Sequence, residues 1–105
     1  MEFIETSIFT RQITELLTDK EYKQLQNELL INPLIGALIK HSAGLRKLRW
    51  RSHGKGKRSG IRVIYYYITE EEKIYMLFAY PKSSKDDLSS KELKILRAVV
   101  KEELI

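Results

Sequence analysis

Apolar residues follow a helical spacing at both ends of this chain and a strand-like pattern in the middle. Residues 2–5 are compatible with a short opening strand, stopping at Thr6-Ser7, a pair suited to helix capping. Phe9, Ile13, Leu16 and Leu17 then recur at helical spacing and predict an amphipathic helix. Thr18-Asp19-Lys20-Glu21 is a capping-box pattern: the threonine hydroxyl accepts from the glutamate amide, and the glutamate reaches back. Leu17 and Tyr22 flank it as a hydrophobic staple. Tyr22, Leu25, Leu29 and Leu30 give the expected buried stripe of a second helix. Asn32-Pro33 ends it, because the residue before proline is pushed out of the helical region. Two helices joined this tightly imply an antiparallel hairpin.

Residues 34–39 are apolar but interrupted by Gly36, which reads as a packed connector. Three strands are expected next. Residues 46–51 alternate, with Leu48 and Trp50 opposed to Lys47, Arg49 and Arg51. Residues 61–68 are β-branched and aromatic on both faces, as in a central strand, and residues 74–80 read the same way up to Pro81. A glycine-rich loop, residues 52–60, joins the first two, and an acidic turn at residues 69–73 joins the last two. A second capping box, Ser89-Ser90-Lys91-Glu92, is stapled by Leu88 and Leu93 and opens a terminal helix striped by Leu93, Leu96, Val100 and Leu104. The expected fold class is α+β: one domain over residues 1–105, a small antiparallel sheet with the N-terminal helix hairpin on one face, and a C-terminal helix. With the helices on one side, the other sheet face is expected to be free.

Charge changes this picture. Residues 44–62 hold eight basic side chains and no acid, and residues 29–69 hold nine, again with no acid. That window carries +9, and the ten Lys/Arg and fourteen Asp/Glu elsewhere carry −4, giving the net +5. A one-sign block in an otherwise acidic chain is a field suited to polyanions, and nucleic acid is the first partner to consider. The chain has no cysteine, which removes disulfides and thiolate zinc sites, and two histidines alone do not close a metal site. No cofactor is expected. The N-terminus lacks the pattern of a secretory signal, and no apolar run reaches membrane-spanning length, so a cytoplasmic, soluble domain without membrane contact is expected.

Arg46 and Arg62 lie on neighbouring expected strands, Lys82 and Lys85 follow the third, and Lys55, Lys57 and Arg58 ride on the glycine loop. Antiparallel pairing is expected to bring them to one groove that grips phosphodiester by charge-assisted bonds. Arg62 is the sharpest: the one charge inside residues 61–68, with no acid near it in sequence. An arginine buried there needs a partner. Either a distant carboxylate such as Glu2 or Asp86 supplies it, or, the reading preferred here, it faces an open site awaiting an anion. Arg49 and Trp50 join it as RNA contacts, Trp50 by stacking on bases. Tyr66 must turn away from Tyr65 and Tyr67, so part of that trio is core. Lys20, Lys23, Lys47 and Arg51 are read as ordinary solvated cations. His53 has the titration range of a proton-transfer group, though a lone loop histidine is more often idle. Ser52 and Ser59 lack the partners of a serine hydrolase.

The succession GLRKLRW, a Gly/Lys loop, SGIRVIYYY and IYMLFAYPKSSKDDLS resembles the RelE/HigB superfamily of bacterial toxins, its HigB-like branch in particular, from about residue 33 to the C-terminus. The resemblance implies a ribosome-dependent messenger-RNA endoribonuclease that works in the 30S A site without a metal and inhibits translation. It implies a cognate antitoxin, a helix-turn-helix protein, through which alone the toxin meets operator DNA. Arg46 and Arg62 match family arginines of substrate binding and transition-state support, Lys55 and His53 fall on the loop that carries catalytic lysines, and Lys82 matches the basic residue after the third strand. Ser83 stands where some relatives carry arginine, with Lys85 nearest, and Asp87-Leu88-Ser89 replaces a segment that carries tyrosine. In the implied reaction the 2′-hydroxyl attacks the adjacent phosphate while the protein holds the geometry, stabilises charge and protonates the leaving oxygen. The alternatives are a non-catalytic RNA- or DNA-binding module and a degenerate toxin that only engages its antitoxin.

Overall fold

Side-chain caps decide where each helix begins. In the computed structural model, which describes residues 1–51 and 60–104, Thr6 Oγ1 accepts from Phe9 N at 3.0 Å and opens α1 (Ser7–Leu16). Thr18 and Glu21 form the expected reciprocal box at the start of α2 (Asp19–Ile31), and Ser89 and Glu92 form the other at the start of α3 (Ser90–Val99). Each cap is worth on the order of 1 kcal/mol. Asn32 ends α2 as expected. Beyond α3 the chain continues as a π-helical turn, Val100–Leu104.

Five strands make the sheet: β1 (Glu2–Glu5), β2 (Ala37–Leu38), β3 (Arg46–Trp50), β4 (Ile61–Ile68) and β5 (Lys73–Pro81), in the order β1-β5-β4-β3-β2. β1 runs parallel to β5 and the other neighbours are antiparallel. The two-residue β2 corrects the expected connector at residues 34–39, whose Leu34, Ile35 and Leu38 are exposed rather than packed. Leu30 is exposed as well and drops out of the buried stripe of α2, which Leu25 and Leu29 carry.

Strand alternation sends successive side chains of β4 into two separate cores. Val63 and Tyr65 meet Phe9, Ile13, Leu25, Leu29 and Leu48 beneath α1 and α2. Ile64 and, in part, Tyr66 meet Leu77, Tyr80 and Val100, with Leu93 and Leu96 of α3 packed on them. The sheet is therefore covered on both faces, which corrects the expectation of a free one. A bulge between Ile64 and Tyr65 in the β4–β5 ladder leaves Leu77 unmatched, so that Met76 and Ala79 serve the first core while Leu77 and Phe78 serve the second. α1 and its cap satisfy the backbone there: Thr6 Oγ1 donates to Leu77 O at 3.0 Å, and Ala79 N donates to Gln12 Oε1 at 2.8 Å.

The segment before β3 is tied down by one phenol. Tyr65 Oη accepts from Gly36 N at 2.9 Å and donates to Pro33 O at 2.7 Å. The approach is close enough that a Cβ on Gly36 would lie 2.8 Å from the Tyr65 ring, so only glycine fits. Tyr65→Phe leaves the Gly36 amide buried without its acceptor, and a loss of about 1–3 kcal/mol in urea denaturation is expected.

Three phenols also set an alkaline limit. Burial raises the pKa of Tyr22, reinforced by its 2.5 Å bond to Glu5, and burial raises that of Tyr65 and pushes Tyr80 up to about 12. Each keeps its proton in the folded state where the unfolded chain has lost it, so the stability they contribute is complete below about pH 10 and declines above it. Denaturation midpoints measured across that range are expected to fall, and Tyr80→Phe to flatten the fall.

Candidate functional site

The cations of β3 and β4 divide between the two sheet faces by parity. Arg46 pairs in register with Tyr65, and Leu48 with Val63, so both side chains lie on the face under α1 and α2. Lys47 and Arg49 point the other way, opposite Ile64 and Arg62, toward the face that carries α3. Arg46 and Arg62 therefore do not share a groove. The Arg46 guanidinium donates through Nη1 to Leu34 O at 3.2 Å and Gly36 O at 2.7 Å, which holds the segment before β2. Trp50 lies on the same side, packed against the first core.

On the α3 face the cations do gather. Arg49 and Arg62 are directly opposed across the β3–β4 ladder, a like-charge pairing that is unfavourable without a counterion. The counterion is Asp86. Its Oδ1 accepts from Arg62 Nε at 3.1 Å and Nη2 at 2.9 Å, while Arg62 Nη1 donates to Ile61 O at 3.2 Å. Arg62 is 5% exposed and saturated largely by these groups, so the preferred expectation of an unpaired arginine facing an open site gives way to the distant-carboxylate alternative. Asp86 itself is half exposed. The hydrogen bonds from Arg62 hold its carboxyl below the usual range, with Lys47 and Arg49 acting in the same direction. The next residue, Asp87, accepts from Lys47 Nζ. The Lys47 side chain is only 14% exposed, which corrects its reading as a solvated lysine. Tyr80, level with Arg62 on β5, donates to Asp86 O at 3.1 Å and fixes the segment's backbone.

A groove of about 470 Å³ opens beside this arrangement, lined by Lys47, Arg49 and Asp87 together with Leu38, Ile39 and Lys40. Lys82 is exposed just past β5, and its amide donates to Gly60 O at 3.0 Å. Gly60 has φ +79, and a Cβ there would lie 2.5 Å from Trp50 O, so glycine is required where the chain re-enters the sheet. Lys82 and Arg49 thus sit at the sheet end from which residues 52–59 depart. The candidates His53, Lys55, Lys57 and Arg58 lie outside the described residues. Lys85, expected to contact RNA, instead pairs with Glu92 in the first turn of α3, over the rings of Phe78 and Tyr80 at 5.5 and 5.2 Å. Lys47, Asp86 and Asp87 are the members of the site that sequence reasoning passed over as site residues. The signal for them was the acid-free window itself, whose buried cations had to draw their counterions from elsewhere in the chain.

Among the described residues no group of three or more His, Asp or Glu side chains is placed to hold a metal, and no helix is long and apolar enough to cross a membrane. The family profile described as the RelE toxin of the RelE / RelB toxin–antitoxin system matches residues 6–104. Among solved structures, an Escherichia coli RelE toxin variant in the free state superposes with a TM-score of 0.54 at 21% identity, covering 81% of this chain and 86% of that one. The intact Escherichia coli RelBE toxin–antitoxin complex matches with a TM-score of 0.51 at 21% identity, covering 74% of this chain and 92% of the matched one. At that identity the likeness supports the fold alone, whereas the profile spans nearly every residue from the first helix cap to the end of the last helix. The chain belongs to the RelE toxin family.

Proposed function

We propose that the chain is an endoribonuclease toxin that cuts messenger RNA on the ribosome and is neutralised by a cognate antitoxin. The observation that carries this reading is the gathering of Lys47, Arg49 and Arg62 on one sheet face, in a chain of the RelE toxin family. The row adjoins the sheet end from which residues 52–59 leave, and Lys82 stands at that end.

RNA supplies its own nucleophile, the 2′-hydroxyl. The protein's task is to hold the backbone in line, to stabilise the added negative charge on the phosphate and to deliver a proton to the 5′ oxygen. Arg62 and Lys82 suit the charge role, Arg49 and Lys47 the grip on neighbouring phosphates. Lys55 and His53 are the proposed proton carriers. Arg46 and Trp50 stand apart from this row, on the opposite face of the sheet. The second reading, a toxin-fold protein that binds RNA without cutting, is favoured by one observation: Arg62 is already occupied by Asp86.

Addition of the purified protein to a translating extract separates the two. Cleavage of message within its reading frame supports the nuclease, and slowed translation with intact message supports the binder. Arg62→Ala and Lys82→Ala are each expected to lower the cleavage rate about 10²–10³-fold, the usual consequence of removing one charge-stabilising donor. Arg46→Ala is expected to lower the melting temperature and leave the rate near that of the parent. Cleavage at full rate by Arg62→Ala would refute the assignment.

A further inference from the structure

Two of the three cations in the row, Lys47 and Arg62, are already paired with carboxylates. Asp86 and Asp87 are consecutive residues of the segment between β5 and α3, and they reach two different strands: Asp86 bonds Arg62 on β4, Asp87 bonds Lys47 on β3. The two strands supply no acid of their own. The segment belongs to neither sheet nor helix. A turn closed by Ser84 N on Pro81 O at 3.1 Å starts it, the Tyr80 hydroxyl holds Asp86 O, and the Ser89 cap ends it.

We propose that Asp86 and Asp87 form an intramolecular anionic strap that occupies the phosphate positions of Lys47 and Arg62 and leaves Arg49 exposed between them, so that single-stranded RNA must displace the strap to engage the full row. This rests on the reading of the row as a phosphodiester site. The exchange is anion for anion: each carboxylate oxygen that accepts from a guanidinium or ammonium is replaced by a phosphate oxygen of the same charge and similar reach. The two contacts are unequal. The Asp87 side chain is 77% exposed, and a pair this open to water is weak and readily screened, so it opens first. Asp86 holds a buried guanidinium through two donors and yields only when another anion takes its place. A free toxin so covered has low affinity for loose RNA and gains it where a surface presents several phosphates at once.

Two rivals predict different outcomes. If Asp86 instead positions Arg62 for work, its loss weakens binding. If the aspartates merely lower the net charge, any acid removed elsewhere has the same effect. The test measures binding of a short 2′-O-methyl RNA, which cannot be cut, to the full chain carrying Asp87→Asn, Asp86→Asn or both. Glu71→Gln, which removes an acid paired with Lys73 at the far end of β5, is the control. Asp86→Asn and the double variant are expected to tighten binding about tenfold, Asp87→Asn about threefold and the control less than twofold. The slope of log affinity against log salt is expected to steepen by about 0.7 for each cation released. Asp87→Asn keeps the test decisive should Asp86→Asn impair folding, because its exposed side chain contributes little to the fold. Unchanged or weaker binding by Asp87→Asn, or a gain no larger than the control's, overturns the strap. Cleavage by the wild-type chain in a translating extract is scored separately. Cutting without any gain in the variants rejects the strap and spares the nuclease; a gain without cutting does the reverse.

Discussion

One ion pair joins the two ends of this molecule's sequence logic: the Arg62 guanidinium on the Asp86 carboxylate. A guanidinium buried to that depth is costly unless its charge and donors are met. The middle of the chain holds no acid to meet them, so the answer comes from the far side of β5. That requirement pulls the segment after β5 back across the sheet. Three residues later the Ser89 cap opens α3, and α3 seals the second core through Leu93, Leu96 and Val100. The same contact stabilises the fold and governs access to the cations.

Parity then decides what each cation does. Arg46 and Lys47 are neighbours in sequence, yet one lies among the carbonyls of the segment before β2 and the other under Asp87. Among the described residues, the strand cations of a block that reads as one field along the sequence are split by the pleat into a structural arginine on one face and Lys47, Arg49 and Arg62 on the other. Charge density alone therefore overstates the site, and the pairing register corrects it.

The elements were legible because their signals are local. Both capping boxes, the stop at Asn32-Pro33 and the doubly apolar β4 act within a few residues, and each stands where the pattern placed it. β2 escaped notice because two exposed residues carry no periodicity, and its pairing with β3 is a tertiary fact. The covered second face was missed for a related reason. The stripe of α3 shows that it buries something, but only the bulge at Leu77 and the return of the chain after β5 say against which side. The partner of Arg62 was visible in sequence only as one of two candidates, since a pairing across twenty-four residues has no local signature.

The most direct test of the account watches the two arginines at once. Nuclear magnetic resonance of the arginine Nε–H groups, recorded while a non-cleavable single-stranded RNA is added, reports each guanidinium separately. The Arg62 signal is expected to shift as Asp86 is released, while that of Arg46, bonded to Leu34 O and Gly36 O on the opposite face, stays in place. A shift at Arg46 with Arg62 unmoved would contradict it.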